Sequence, residues 1–140
     1  MACAFHVNPD HQFVLLRPAG EFTESEFIAL SKAVWTHPDR EPHFTHLWDT
    51  RPIEKLVMNA SVIPMYRTFR AEHEKQETVG KVAIVTTRPN VRTFALMIVQ
   101  IGKLDRLTLQ PFSNMEAAAD WADLPLRVLT EIPDAQWITP

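Results

Sequence analysis

Two short stretches hold the side chains best suited to chemistry: "WDTR", Trp48 to Arg51, and "TTRPNVR", Thr86 to Arg92. Each follows an apolar run of strand type, "FTHL" in one case and "KVAIV" in the other. If those strands run parallel, both stretches fall at the carboxyl ends of the sheet, where open α/β folds meet their ligands. Asp49, Thr50, Arg51, Thr87, Arg88 and Arg92 would then share one rim, beside the positive N-terminus of the helix that follows "TTRP". The chemistry such a rim offers is capture of an anion or a partner protein. Arg51, Arg88 and Arg92 would supply the charge, and Asp49 would hold the loop.

Catalysis has less to stand on. There is no G-x-S-x-G elbow, and the one cysteine, Cys3, sits near the terminus without a rigid partner. Three glycines, at 20, 80 and 102, cannot make a P-loop or a dinucleotide fingerprint. Of the six histidines, His37, His43 and His46 lie near Asp39, Glu41 and Asp49, but no zinc-type spacing joins them. The expectation is therefore no catalytic residue, no metal site and no cofactor. An enzyme pairing Asp49 with a histidine is the weaker alternative, and it requires those two groups within hydrogen-bond reach in a cleft.

The elements that must position the rim follow from the pattern of the chain. "FHV" and "QFVLLRP" flank the turn "NPD" and read as a hairpin. Thr23 and Glu26 fit a capping box ahead of a helix carrying Phe27, Leu30 and Val34 on one face. "FTHLWD" reads as a strand and "RPIEKLVM" as irregular. A helix follows with Val62, Tyr66 and Phe69 on one face and "RAEHEKQE" as its polar end. Then come the buried strand "KVAIVTT", the helix "RPNVRTFALMIVQIGK", the strand "RLTLQPF" and a helix capped by Ser113 or Asn114. Alternation of strands and helices predicts an α/β domain: a mostly parallel mixed sheet of four or five strands, opened by an N-terminal hairpin and wrapped by four helices. The domain is expected over residues 1–125, with 126–140 as a C-terminal tail or edge strand.

At 140 residues, 46% apolar and 22% charged, the chain suits one globular core. A net charge of −3 argues against nucleic acid as a partner, and no apolar run approaches the length of a membrane span. With no signal-peptide pattern at the start and a single thiol, a cytoplasmic setting is expected. The helix at 91–101 is apolar nearly all round, which predicts a homodimer through that helix.

"VLLRPAGEFTESEF", "FTHLWDTRPIEKLVMNA", "VGKVAIVTT" and "LQPFSNMEAAADWA" together resemble, over roughly residues 5–123, the SpoIIAA-like family, which has the STAS fold of anti-sigma-factor antagonists. The resemblance implies a β-α superhelix used for binding, with a regulatory protein or a small ligand as partner. Sigma-regulatory members carry a phosphorylatable serine after the central strand. Ser61 stands near that place in "VMNASVIP", but the acidic residue before it and the glycine after it are missing. A helix cap is accordingly the expected role of Ser61. The same superhelix resembles lipid-binding CRAL-TRIO domains, so a carrier of a lipophilic ligand is the alternative, with Met58, Met65 and Met97 lining its pocket.

Overall fold

One side chain ends a strand and starts a helix: Thr23 accepts the Glu26 amide at 3.3 Å, and its hydroxyl donates to the Glu26 carboxylate at 3.2 Å. The amide bond is the Thr23 half of the capping box expected from the sequence, with Glu26 reaching back to the Thr23 hydroxyl, and together they fix where the helix α1 (Glu24–Trp35) begins. The computed structural model describes residues 3–59, 61–73, 80–104 and 108–140. Part of the polar end expected for the second helix, at 74–79, lies outside the described residues.

The main sheet has five strands: β1 (Ala4–Asn8), β2 (Phe13–Arg17), β4 (Thr45–Asp49), β6 (Val82–Val85) and β7 (Leu109–Phe112), ordered β1-β2-β4-β6-β7. Only the opening hairpin is antiparallel; β2–β4, β4–β6 and β6–β7 all run parallel. Gln12 closes the hairpin with φ 57°, and the Asn8 side chain accepts the His11 amide at 2.9 Å. The mixed α/β class and the parallel body of the sheet are as the alternating pattern predicts.

Two features differ from expectation. The stretch read as irregular contains β5 (Ile53–Val57), which pairs in parallel with β3 (Gly20–Thr23) to form a separate two-stranded sheet. With Ile53 buried and Glu54 and Lys55 exposed, its pattern is not the clean alternation that marks a strand. The stretch 126–140, expected as a tail or edge strand, begins as helix α5 (Leu126–Thr130) and continues into a 3-10 turn (Asp134–Gln136). Alongside α1 (Glu24–Trp35), α2 (Val62–His73), α3 (Pro89–Leu104) and α4 (Met115–Trp121), this makes five α-helices among the described residues, where four were expected.

Strand alternation divides the core between two faces. Val14 and Leu16 join Phe22, Phe27, Leu30 and Val62 beneath α1 and α2, whereas Phe13, Leu15 and Leu47 join Met115, Ala118 and Leu129 beneath α4 and α5. Asn114 caps α4 by accepting the Ala117 amide at 2.8 Å.

Candidate functional site

The rim predicted at the strand ends is built from two kinds of residue. Asp49 ends β4 with its side chain only 10% exposed, and Arg51 closes on it as a fork. Nε donates to Oδ1 at 2.8 Å, Nη2 donates to Oδ2 at 2.9 Å, and the Arg51 amide adds a third bond to Oδ1 at 3.2 Å. The hydrogen bond to Asp49 raises the guanidinium pKa above its ordinary value, against the opposing effect of burial. Arg51 thus stays charged, and its charge is spent inside the loop. Thr50 is a staple: its hydroxyl donates to the Val85 carbonyl at 2.6 Å and its amide to the same oxygen at 3.0 Å, tying β4 to β6. Thr87, Arg88 and Arg92 are exposed around the first turn of α3. Ser61 is exposed immediately before α2, the position of a cap, and its hydroxyl donates to the Asn59 side chain, which also accepts the Ser61 amide at 2.8 Å.

Pleating separates these groups further. Asp49 follows Trp48, so it lies on the same sheet face as Leu47, away from the side where Trp48 points. On the Trp48 side lies a pocket enclosing about 590 Å³ including its open mouth. Its wall on α3 is Val91, Phe94, Ala95 and Ile98, the i, i+3, i+4, i+7 stripe of one helix face. Its floor is Trp48, Ile84, Val82 and Leu109 of the sheet, and its far side is Phe22, Leu56 and Met58. Phe27 stacks on Trp48 with ring centroids 5.5 Å apart and meets Tyr66 edge-on at 5.2 Å, which braces three lining aromatics against each other. Among the described residues no charged side chain lines the pocket, and Thr50 reaches it from the rim.

The helix expected to be apolar all round is therefore sided. Val91, Ala95 and Val99 are buried, while Leu96 and Met97 are about two-fifths exposed, at 41% and 40%. Of the three methionines expected to line a pocket, Met58 does, whereas Met97 and Met65 (47% exposed) point to solvent. Their positions on α3 and α2 put them on the outer helix faces. Of the aromatic residues that shape the pocket, Phe27 and Tyr66 were expected only on apolar helix faces and Trp48 only as the end of a strand, while Phe22 and Phe94 were not singled out. The local signal for the α3 wall was the spacing of Val91, Phe94, Ala95 and Ile98, which is equally the signature of an ordinary core stripe.

The histidines take separate structural places. Buried His46 accepts a hydrogen bond at Nε2 from Arg40 Nε at 3.3 Å, so its ring proton lies on Nδ1. His43 pairs with Glu41 at 3.5 Å. Among the described residues, no three His, Cys, Asp or Glu side chains converge on one point. Where the alternative enzyme reading needs a histidine on Asp49, the Arg51 fork occupies both carboxylate oxygens.

Cys3 is buried, accepting the Ala19 amide at 3.4 Å and lying 3.4 Å from the Glu26 carboxylate. Burial pushes its thiol pKa up; the backbone bond to Ala19 opposes this, and Glu26 adds to it. An unfolded chain loses this proton near the ordinary thiol pKa of about 8.5, while the folded chain keeps it. Stability is thus unaffected by this group below about pH 8.5 and falls as pH rises above it. The matching chemical result is slow labelling by a disulfide reagent at pH 8, about tenfold or more slower than in urea. Equal rates folded and unfolded would show that the thiol is open.

No family model matches the chain, and no curated protein matches it in sequence. Among the described residues, no helix is long and apolar enough to cross a membrane. Among solved structures, the chain is similar to an uncharacterised protein of the DUF3478 family with a SpoIIAA-like fold, from Shewanella loihica PV-4. The TM-score is 0.54 at 15% identity, over 86% of this chain and 92% of that one. A hairpin-led mixed sheet, parallel from its second strand onward, and an alignment running nearly the full length of both chains give the conclusion that this protein has a SpoIIAA-like fold.

Proposed function

We propose that the domain binds a small, uncharged, largely apolar molecule in the pocket between the sheet and α3. One observation carries this reading: a concave space lined by Phe22, Phe27, Trp48, Tyr66, Phe94 and their aliphatic neighbours, with no charged side chain in the lining among the described residues. Ligand sites are typically concave and apolar, with a few polar groups fixing orientation. Here Tyr66, Thr50 and Trp48 are the described lining residues that carry polar side-chain groups. A carboxylate or phosphate placed inside would lose its hydration without gaining a cation from the described lining, at a cost of several kcal/mol (about 2–7 even for a neutral polar group). Of the rim cations, Arg51 is committed to Asp49, whereas Arg88 and Arg92 stand exposed outside the pocket.

The test is titration with the neutral fluorophore N-phenyl-1-naphthylamine. Saturable binding of one probe per chain is expected, with a blue-shifted and enhanced emission. Ile98→Trp, which adds bulk to the pocket wall at a half-buried position, is expected to abolish the signal at an unchanged melting temperature. No saturable signal from the unsubstituted chain, or the same affinity in Ile98→Trp, would refute the reading.

A further inference from the structure

Five of the residues lining the pocket are aromatic, and four of them are already joined to one another. Phe27 of α1 is the hub. It stacks on Trp48 of β4 with ring planes 13° apart, and it meets Phe22 of β3 at 6.2 Å and Tyr66 of α2 at 5.2 Å edge-on. The fifth ring, Phe94, comes from α3, the wall that faces this group across the pocket. Among the described residues Phe94 pairs with no other ring, and Trp48 pairs with no ring but Phe27.

Burial follows the same division. Phe22 and Phe27, at the back of the group, are buried, whereas Trp48 and Phe94 are half-buried. An aromatic ring carries a negative face and a positive edge, so it gains from a second ring beyond the apolar area that the contact covers. A saturated guest draws on burial alone, which the aliphatic wall of Val91, Ala95 and Ile98 supplies equally well. A flat aromatic guest between Phe94 and Trp48 draws on both walls: it gives Phe94 a ring partner and extends the Phe27–Trp48 stack.

We propose that the ligand of this pocket is a neutral, planar aromatic molecule held between Phe94 and the Trp48–Phe27 stack. The proposal rests on the apolar-ligand reading and narrows it to one chemical class, with Phe94 as the residue that selects it.

Calorimetric titration of the full chain with 2-naphthol and with decahydro-2-naphthol tests it. The two probes share a carbon skeleton and one hydroxyl. The second is puckered and saturated and presents at least as much apolar surface, so burial of area alone does not favour the first. The expected result is that 2-naphthol binds about tenfold or more tightly than its saturated analogue. Phe94→Leu, which keeps an apolar wall but removes the ring, is expected to cut that preference to about threefold or less. Phe94→Tyr, which keeps a ring, is expected to retain it, and an unchanged melting temperature certifies both variants as folded. Equal affinities in the unsubstituted chain, or tighter binding of decahydro-2-naphthol, overturn this inference and leave the apolar-ligand reading in place. Binding of neither probe overturns both. A full preference that survives Phe94→Leu overturns the placement against Phe94.

Discussion

Gly80→Ala is expected to lower the melting temperature by about 10 °C or more. Gly80 precedes β6 and passes directly over the loop that precedes β4. Its amide donates to the Pro42 carbonyl at 3.4 Å. A Cβ built there would overlap the Phe44 carbonyl oxygen and stand 2.6 Å from the His43 oxygen and 2.7 Å from the Phe44 carbonyl carbon. All three are backbone atoms, so no side-chain rotation can clear them. Relief requires moving the start of β4 relative to β6, the central parallel pair of the sheet. The loss should reach about 3 kcal/mol, the range of overpacking and forced backbone shifts. Thermal melts followed by circular dichroism check it; a melting point within about 2 °C of the unsubstituted chain would show that the loops can part cheaply.

Phe27→Ala is expected to cost about 3–4 kcal/mol and at the same time to enlarge the proposed ligand pocket. Phe27 is 6% exposed, stacks on Trp48, and meets both Tyr66 and Phe22 edge-on. Removing the ring deletes buried apolar surface and three aromatic contacts, and a gap open to an existing pocket has little cause to collapse. Chemical denaturation measures the first effect. For the second, a probe with one more fused ring than N-phenyl-1-naphthylamine should gain affinity in Phe27→Ala relative to the unsubstituted protein. A stability loss with no change in probe preference would assign Phe27 to the core alone and remove it from the pocket.

The candidate site was unevenly legible. Asp49 could be placed at the end of a strand because an apolar run stops there, but the local sequence does not show which way a rim side chain turns. The Arg51 fork depends on a two-residue turn that brings a guanidinium back over its own strand. Arg51 therefore read as free charge when it is an internal brace. Met65 and Met97 failed as lining residues for a related reason. A mostly apolar helix does not declare its inner face until its neighbours are in place, and on α3 the aromatic and branched residues took that face.

The sequence by itself determined the elements whose cause is local. Thr23 and Glu26 start α1 with bonds spanning three residues, Asn114 starts α4 in the same way, and apolar runs punctuated by helices demand a parallel sheet. Tertiary structure alone decided what depends on distant partners. β5 exists because β3 lies beside it, and Ile138 caps an edge whose strand is more than 130 positions earlier, at Phe5. The pocket belongs to the same class: it is a space left between α3, the sheet and the β3–β5 pair. The reason is physical. Caps and periodicity are encoded within a few residues, whereas strand neighbours, covered edges and cavities are set by which surfaces the whole chain can bury at once.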